Sequence, residues 1–182
     1  MKLKLLILVL ALQSAWILGT ALVQERALAN GKIILLETQR VDPRDPLRGD
    51  YLILNYKISD VPASVFSPPV ATDLPVGTKV YVALEQRGQF HEAVKASTNQ
   101  FEPAGNEILL QGQMRWWWNT ATNAIHIEYG LERYYVAEGT GNPPGTLTVQ
   151  AVVPASGRAS LKQVFVDGKP YAEAMKESAH RQ

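Results

Sequence analysis

Charged side chains of both signs crowd one short stretch, where Asp42, Arg44, Asp45, Arg48 and Asp50 fall within nine residues stiffened by Pro43 and Pro46. A planar guanidinium binds a carboxylate through two parallel hydrogen bonds, so Arg44 or Arg48 is suited to hold Asp50, or to reach Glu132 and Glu138 elsewhere in the chain. The plain outcome is a loop stapled by ion pairs. The sharper outcomes are a recognition surface, or an acid–base site if the carboxylates face a cleft, because perturbed charge clusters are found at functional sites as well as at architectural ones.

Histidine adds one further pair. Of His91, His126 and His180, only His126 has a carboxylate at strand spacing: Glu128 lies two residues on and shares its face, as an acid–base couple or half of a metal site. A bound metal usually takes three or four protein ligands and no other histidine has matching spacing, so no metal and no other cofactor is expected. The chain contains no Cys, which removes thiolate nucleophiles, disulfides and thiolate-ligated metals. Trp116-Trp117-Trp118 on a strand sends Trp116 and Trp118 to one face and Trp117 to the other, as core, as an aromatic foot at a membrane interface, or as a stacking platform. Tyr129, Tyr134 and Tyr135 beside Arg133 pose the same choice between core and groove wall. No complete catalytic set emerges, and a non-enzymatic role is favoured.

The elements that must position these residues begin with an apolar run. Leu5–Val23 is nineteen residues without a charge, preceded by Lys2 and Lys4 and followed by Glu25 and Arg26. As a helix it reaches roughly 28 Å, close to the hydrocarbon thickness of a bilayer. The leading lysines favour a cytoplasmic N-terminus, which puts the rest of the chain in the periplasm or outside the cell of a bacterium. Ala27-Leu28-Ala29 has the small-x-small form of a signal-peptidase site, but the run is longer than a usual signal core, so a retained single-pass anchor in the cytoplasmic membrane is expected. This divides the chain into a cytoplasmic tail (1–4), an anchor (5–23) and an exported domain (24–182). Eighteen Lys+Arg against seventeen Asp+Glu give a net charge of +1, without the basic excess that binds nucleic acid.

Beyond the anchor the pattern is of strands. Lys32–Gln39 is rich in branched residues, and Tyr51–Ser59 alternates Leu52, Leu54, Tyr56 and Ile58 against Tyr51, Ile53, Asn55 and Lys57. Four prolines in Val61–Gly77 predict a long surface loop. A hairpin follows over Arg87-Gly88, joining Lys79–Gln86 to Phe90–Ala96, then a pair from Glu107–Trp117 and Ala124–Leu131, then a hairpin from Thr146–Val153 and Arg158–Val166. Asp167-Gly168 marks a tight turn before a short helix over Tyr171–Ser178. The fold class is mainly β: one N-terminal transmembrane helix followed by a strand-dominated barrel or sandwich.

Gly49-Asp50-Tyr51-Leu52-Ile53-Leu54-Asn55-Tyr56 matches every fixed position of the signature of the GDYxxLxY family, a group of uncharacterised membrane-anchored bacterial proteins, and the chain resembles that family beyond the signature. Asp42-Pro43-Arg44-Asp45, the segment Tyr129–Gly139 with Arg133 and Glu138, and Val166-Asp167-Gly168-Lys169-Pro170-Tyr171 are similar to its pattern, with Ala137 standing where proline is expected. The resemblance implies a membrane location, this architecture and association with a polytopic membrane protein; it implies no activity and no catalytic residues. A Gly-Asp-Tyr strand after an anchor is also similar to the barrel of type I signal peptidases, but Asp42–Arg48 has no serine to serve as nucleophile and Lys79 lacks the surrounding pattern of a base. The expectation is therefore an accessory or interaction module for an integral membrane protein. Its alternatives are an exported envelope hydrolase acting through Asp50, Glu138, His126 or Glu128, and a small-ligand-binding module.

Overall fold

The computed structural model describes residues 2–39, 51–70, 74–119, 123–136 and 145–179. Helix α1 spans Lys2–Ala29. Its large apolar side chains find no cover in the rest of the chain, with Trp16 75% and Val23 70% exposed. A helix apolar on all sides needs an apolar environment from elsewhere, and α1 is long and apolar enough to cross a membrane or to act as a signal sequence. It ends in a tight exit, where the Asn30 amide donates to the Arg26 carbonyl at 3.1 Å and the Gly31 amide to the Leu28 carbonyl at 3.2 Å. Gly31 then lies against Val152, Val153 and Pro154: a Cβ there would overlap the Val152 side chain and approach the Val153 carbonyl oxygen to 3.1 Å. The helix thus passes into strand β1 (Lys32–Gln39) without a linker.

Strand β1 buries Ile34, Leu36 and Thr38 and leaves Leu35, Glu37 and Gln39 half-buried on the other face. It pairs antiparallel with β10 (Leu147–Val153), from Lys32 opposite Val153 to Glu37 opposite Thr148. At Thr38 and Gln39 it passes to β3 (Asn55–Tyr56). Strand β10 turns into β11 (Ser160–Val166), and β11 into β12 (Lys169–Pro170) over Asp167-Gly168, both at positive φ. The first sheet thus has the order β12-β11-β10-β1-β3. The second sheet is β4 (Asp60–Pro62), β8 (Ala124–Glu128), β7 (Ile108–Asn119), β5 (Lys79–Arg87) and β6 (Phe90–Ser97), in that order. A two-stranded ribbon of β2 (Tyr51–Ile53) and β9 (Arg133–Tyr135) completes the set, and helix α2 (Tyr171–Ala179) closes the described chain.

The two larger sheets pack their apolar faces into one core: Ile34, Leu36, Val149, Ala151 and Val164 on one side, Val80, Val82, Leu84, Leu110, Ile125 and Ile127 on the other. Of the two architectures left open by the strand pattern, the chain adopts the sandwich; no closed barrel forms among the described residues. Strand β6 runs beside β1 at one seam, bridged by a side chain. The Leu35 amide donates to His91 Nδ1 at 3.2 Å, and His91 is 9% exposed.

The structure corrects two readings of local pattern. Tyr51–Ser59 is not one strand. The chain changes partner at Leu54, leaving β9 for β1, and Lys57–Ser59 closes into a 3-10 turn, although Leu52, Leu54, Tyr56 and Ile58 are all buried as the alternation required. Nor is Val61–Gly77 merely a surface loop. Its first residues belong to edge strand β4, where proline is tolerated because one backbone face needs no ladder partner. Val61 and Phe66 lie in the core, and Phe66 bridges to Ala96.

Candidate functional site

Strands β2 and β9 oppose Tyr51 to Tyr135, Leu52 to Tyr134 and Ile53 to Arg133. Residues directly opposite on an antiparallel pair share a face. Leu52 and Tyr134 therefore turn inward together: Leu52 is buried, and the Tyr134 ring meets Tyr171 of α2 edge-on at 5.4 Å. Tyr51, Ile53, Arg133 and Tyr135 turn outward together. The Tyr51 and Tyr135 rings lie 6.1 Å apart, and the Arg133 guanidinium stands 5.7 Å from the Tyr51 ring centre, within cation–π range. Tyr135 is 74% exposed and Ile53 44% exposed. The patch joins two aromatic rings, a cation and a branched apolar side chain on a narrow ribbon.

What holds the ribbon is the inward side of the same strand. Leu54 is buried, and its amide donates to the Glu132 carbonyl at 2.8 Å, continuing the β2–β9 alignment by one residue. Tyr56 is wholly buried and its hydroxyl donates to the Leu131 carbonyl at 2.6 Å. Tyr129, also buried, donates its hydroxyl to the Ile58 carbonyl at 2.7 Å, so two tyrosines clamp the segments 56–58 and 129–131 reciprocally. Gly112 of β7 lets Tyr129 come this close, since a Cβ there would stand 2.9 Å from the Tyr129 ring and 2.9 Å from the Glu128 carbonyl oxygen.

The Glu132 carboxylate turns back to accept the Tyr129 amide at 2.6 Å. Burial raises its pKa above the ordinary carboxylate value, while the backbone amides it faces pull in the other direction. Burial, and then the nearby Glu132 charge, push the Tyr56 and Tyr129 hydroxyls far above the usual phenol range, so both act as neutral donors.

Asp42, Arg44, Asp45, Arg48, Gly49, Asp50 and Glu138 lie outside the described residues, and the ion pairs expected between them do too. So do the side chains of Trp116, Trp117 and Trp118, although the β7 backbone there carries a register shift between Met114 and Trp118. Of the described site residues, Tyr51 and Arg133 come together on the outer patch and Tyr56 lies in the core behind them. The three tyrosines weighed beside Arg133 divide: Tyr129 is core, Tyr134 is half-buried, and Tyr135 is surface.

His126 and Glu128 do share a face of β8, but each has its own partner. His126 Nδ1 lies 2.8 Å from Asp60 on the neighbouring strand, and Arg115 Nε donates to Glu128 at 2.7 Å. Among the described residues no group of three His, Asp or Glu side chains is arranged to hold a metal.

Sequence reasoning did not find the Asp60–His126 pair, because β4 was hidden in a proline-rich stretch. It also did not find two clefts. One, of about 660 Å³, lies where the β5–β6 turn overhangs the outer face of the first sheet, between Phe90, Phe165 and Leu35, with Gln89, Gln150 and Glu37 supplying polar groups. The other, of about 310 Å³, opens at the exit of α1.

Comparison with curated proteins and comparison with solved structures each return no match. The family model described as GDYXXLXY protein matches residues 13–164, which takes in most of α1, the signature strand and every strand through β11 except its last two residues. The fixed residues of that signature that the structure describes each have a physical task here, with Tyr51 on the outer patch and Leu54 and Tyr56 rooted in the core, and the chain belongs to the GDYXXLXY family.

Proposed function

We propose that this chain is a membrane-anchored accessory module whose β-sandwich lies outside the bacterial cytoplasmic membrane and binds an integral membrane protein through the outer face of the β2–β9 ribbon. The observation that carries this reading is the patch of half-buried Tyr51 with exposed Ile53, Arg133 and Tyr135, on a ribbon whose inner face is locked by Leu54, Tyr56 and Leu131. Tyrosine and arginine are the side chains that most often dominate protein interfaces, and a rigid support lowers the entropy lost on docking. The uncovered apolar surface of α1 supports the anchor, and the lysines before it support a cytoplasmic N-terminus.

The test is purification of the full chain from gently solubilised membranes beside Tyr135→Ala and Arg133→Ala. The reading expects one integral membrane protein to accompany the wild type in fixed ratio and to be lost from both variants while the fold persists. A wild type that purifies alone would count against it. Cysteine-free as it is, the chain also lends itself to two-sided labelling of single introduced cysteines after Val23, which tests the orientation.

A second reading rests on the 660 Å³ cleft, whose size suits a small ligand and whose lining joins Phe90 and Phe165 to the Gln89 and Gln150 amides and the Glu37 and Asp167 carboxylates, acceptors for hydroxyl groups. It expects a neutral ligand with an apolar face, such as a saccharide, and a Phe165→Ala variant that loses binding in a glycan screen. The hydrolase reading has less to draw on, since His126 and Glu128 are each paired with a different neighbour.

A further inference from the structure

Gln13 stands at the middle of the apolar run. It lies eight residues from Leu5 and ten from Val23, about 12 and 15 Å along the helix axis. In a helix that spans the bilayer, its amide is therefore held near the midplane. A carboxamide carries two N–H donors and a carbonyl acceptor, and hydrocarbon offers them no partner. The helix backbone around it is already paired within itself. The rest of the chain does not cover the span, and among the described residues nothing hydrogen-bonds the Gln13 side chain.

The residues around Gln13 form a pattern. Leu6, Leu10, Gln13, Ile17, Thr20 and Gln24 follow one another at spacings of four, three, four, three and four residues. This is the seven-residue repeat of a seam along which two helices pack in a left-handed coil. Every hydrogen-bonding side chain from Leu5 to Gln24 lies on that seam or directly beside it: Gln13, Thr20 and Gln24 on it, Ser14 and Trp16 flanking it. The opposite face, with Leu8, Ala11, Ala15, Leu18 and Leu22, has none. Thr20 is satisfied within the helix, its hydroxyl donating to the Ile17 carbonyl at 2.9 Å. Gln24 lies past the end of the run, at the edge of the hydrocarbon. Gln13 is the member that needs a second helix. A parallel copy of the same chain presents its own Gln13 at the same depth, and an amide, being donor and acceptor at once, is its own complement.

We propose that two copies of this chain pair in the membrane through the Leu6–Gln24 seam of α1, with the two Gln13 amides hydrogen-bonded to each other at its centre. The proposal rests on the anchored reading above. Hydrogen bonds between amide side chains associate helices in lipid, and a single polar residue on an apolar seam fixes register and the number of helices.

The chain has no Cys, so single introduced cysteines report helix contacts directly. The test places one cysteine at a time at positions 8 to 22 of the full chain, leaving Gln13 in place, and oxidises native membranes. A disulfide forms only where the two backbones come close. The expected result is a species of twice the chain mass, strongest at positions 10, 17 and 20 and weakest at 8, 11, 15 and 22. In lipid vesicles, energy transfer between two pools of the chain labelled outside α1 gives the association constant. Gln13→Leu lowers it about tenfold, the size of a pair of interhelical hydrogen bonds, whereas Ala15→Leu on the opposite face leaves it unchanged. Cross-links that peak at 8, 11, 15 and 22, or at no position, overturn the proposal. So does an association constant that Gln13→Leu leaves unchanged. An adduct of another mass at 10, 17 and 20 means that a different protein's helix occupies the seam, and it overturns the second copy as occupant. Carbonate extraction separates the two levels. A full-length chain that stays with the membrane without the paired adduct refutes only the pairing, whereas a chain shortened at Ala29 or released by carbonate refutes the anchor as well.

Discussion

Two signature side chains do opposite work although they are five residues apart. Tyr56 is buried and donates to the Leu131 carbonyl, while Tyr51 faces outward with Tyr135 and Arg133. Tyr56→Phe keeps the ring and removes the donor, leaving a buried carbonyl unpaired, so chemical denaturation should show a loss of about 1–3 kcal/mol. Tyr135→Ala, at a surface position, should change stability by less than about 0.5 kcal/mol. Comparable losses in the two variants would refute this division of roles. Glu132 gives a pH signature. Its pKa is raised in the folded state, so its contribution is fully present below the ordinary carboxylate value of 4.5 and is lost as pH rises through the folded value. Denaturation of the wild type against Glu132→Gln across pH 4 to 7 should show the stability difference moving in favour of the variant as pH rises. A difference independent of pH would mean that Glu132 titrates as it does in the unfolded chain.

Alternation and turn chemistry carried most of the elements, because period and turn residues are local properties. Lys32–Gln39 emerged with the bounds read from its branched residues, and both long hairpins and the helix after Asp167-Gly168 are present within a residue or two. The alternation of Leu52, Leu54, Tyr56 and Ile58 told which side is core, but not that the strand would change partners at Leu54. That exchange depends on where β9 and β1 end in space, and no local pattern encodes it. For the same reason Tyr51 and Arg133 could be named as interesting but not as neighbours: their meeting requires the register of β2 on β9, across 82 residues of chain. Among the elements, the seam of β1 and β6 carries a titratable bridge. His91 is buried there and accepts the Leu35 amide, and burial lowers its pKa below the ordinary 6.5. A lowered folded value means that the stabilisation is complete above 6.5 and is lost as pH falls below it toward the folded value. Hydrogen exchange at the Leu35 amide should therefore accelerate between pH 6.5 and 5 beyond its intrinsic trend, and His91→Gln should remove that excess. An unchanged protection factor across this range would contradict the bridge.

At the scale of the molecule, two ends of one strand organise the proposal. Strand β1 starts just after Gly31, which lies against Val152 and Val153 of β10, and runs eight residues from Lys32 to Gln39, where the first sheet receives the signature strand. Along it the chain travels about 25 Å, so the cleft at the exit of α1 and the Tyr51–Arg133–Tyr135 patch occupy separate ends of β1 and can be altered independently. On the proposed reading, this patch is where the anchored domain meets an integral membrane protein. The test is site-specific photo-crosslinking in native membranes, with the photoreactive residue at position 135 and, as control, at exposed Arg87, the last residue of β5. One adduct with an integral membrane protein is expected from position 135, none from 87, and adduct yield should fall roughly 30-fold on adding Arg133→Ala, the effect of removing about 2 kcal/mol of interface energy. No adduct from position 135, or the same adducts from both positions, would contradict that reading.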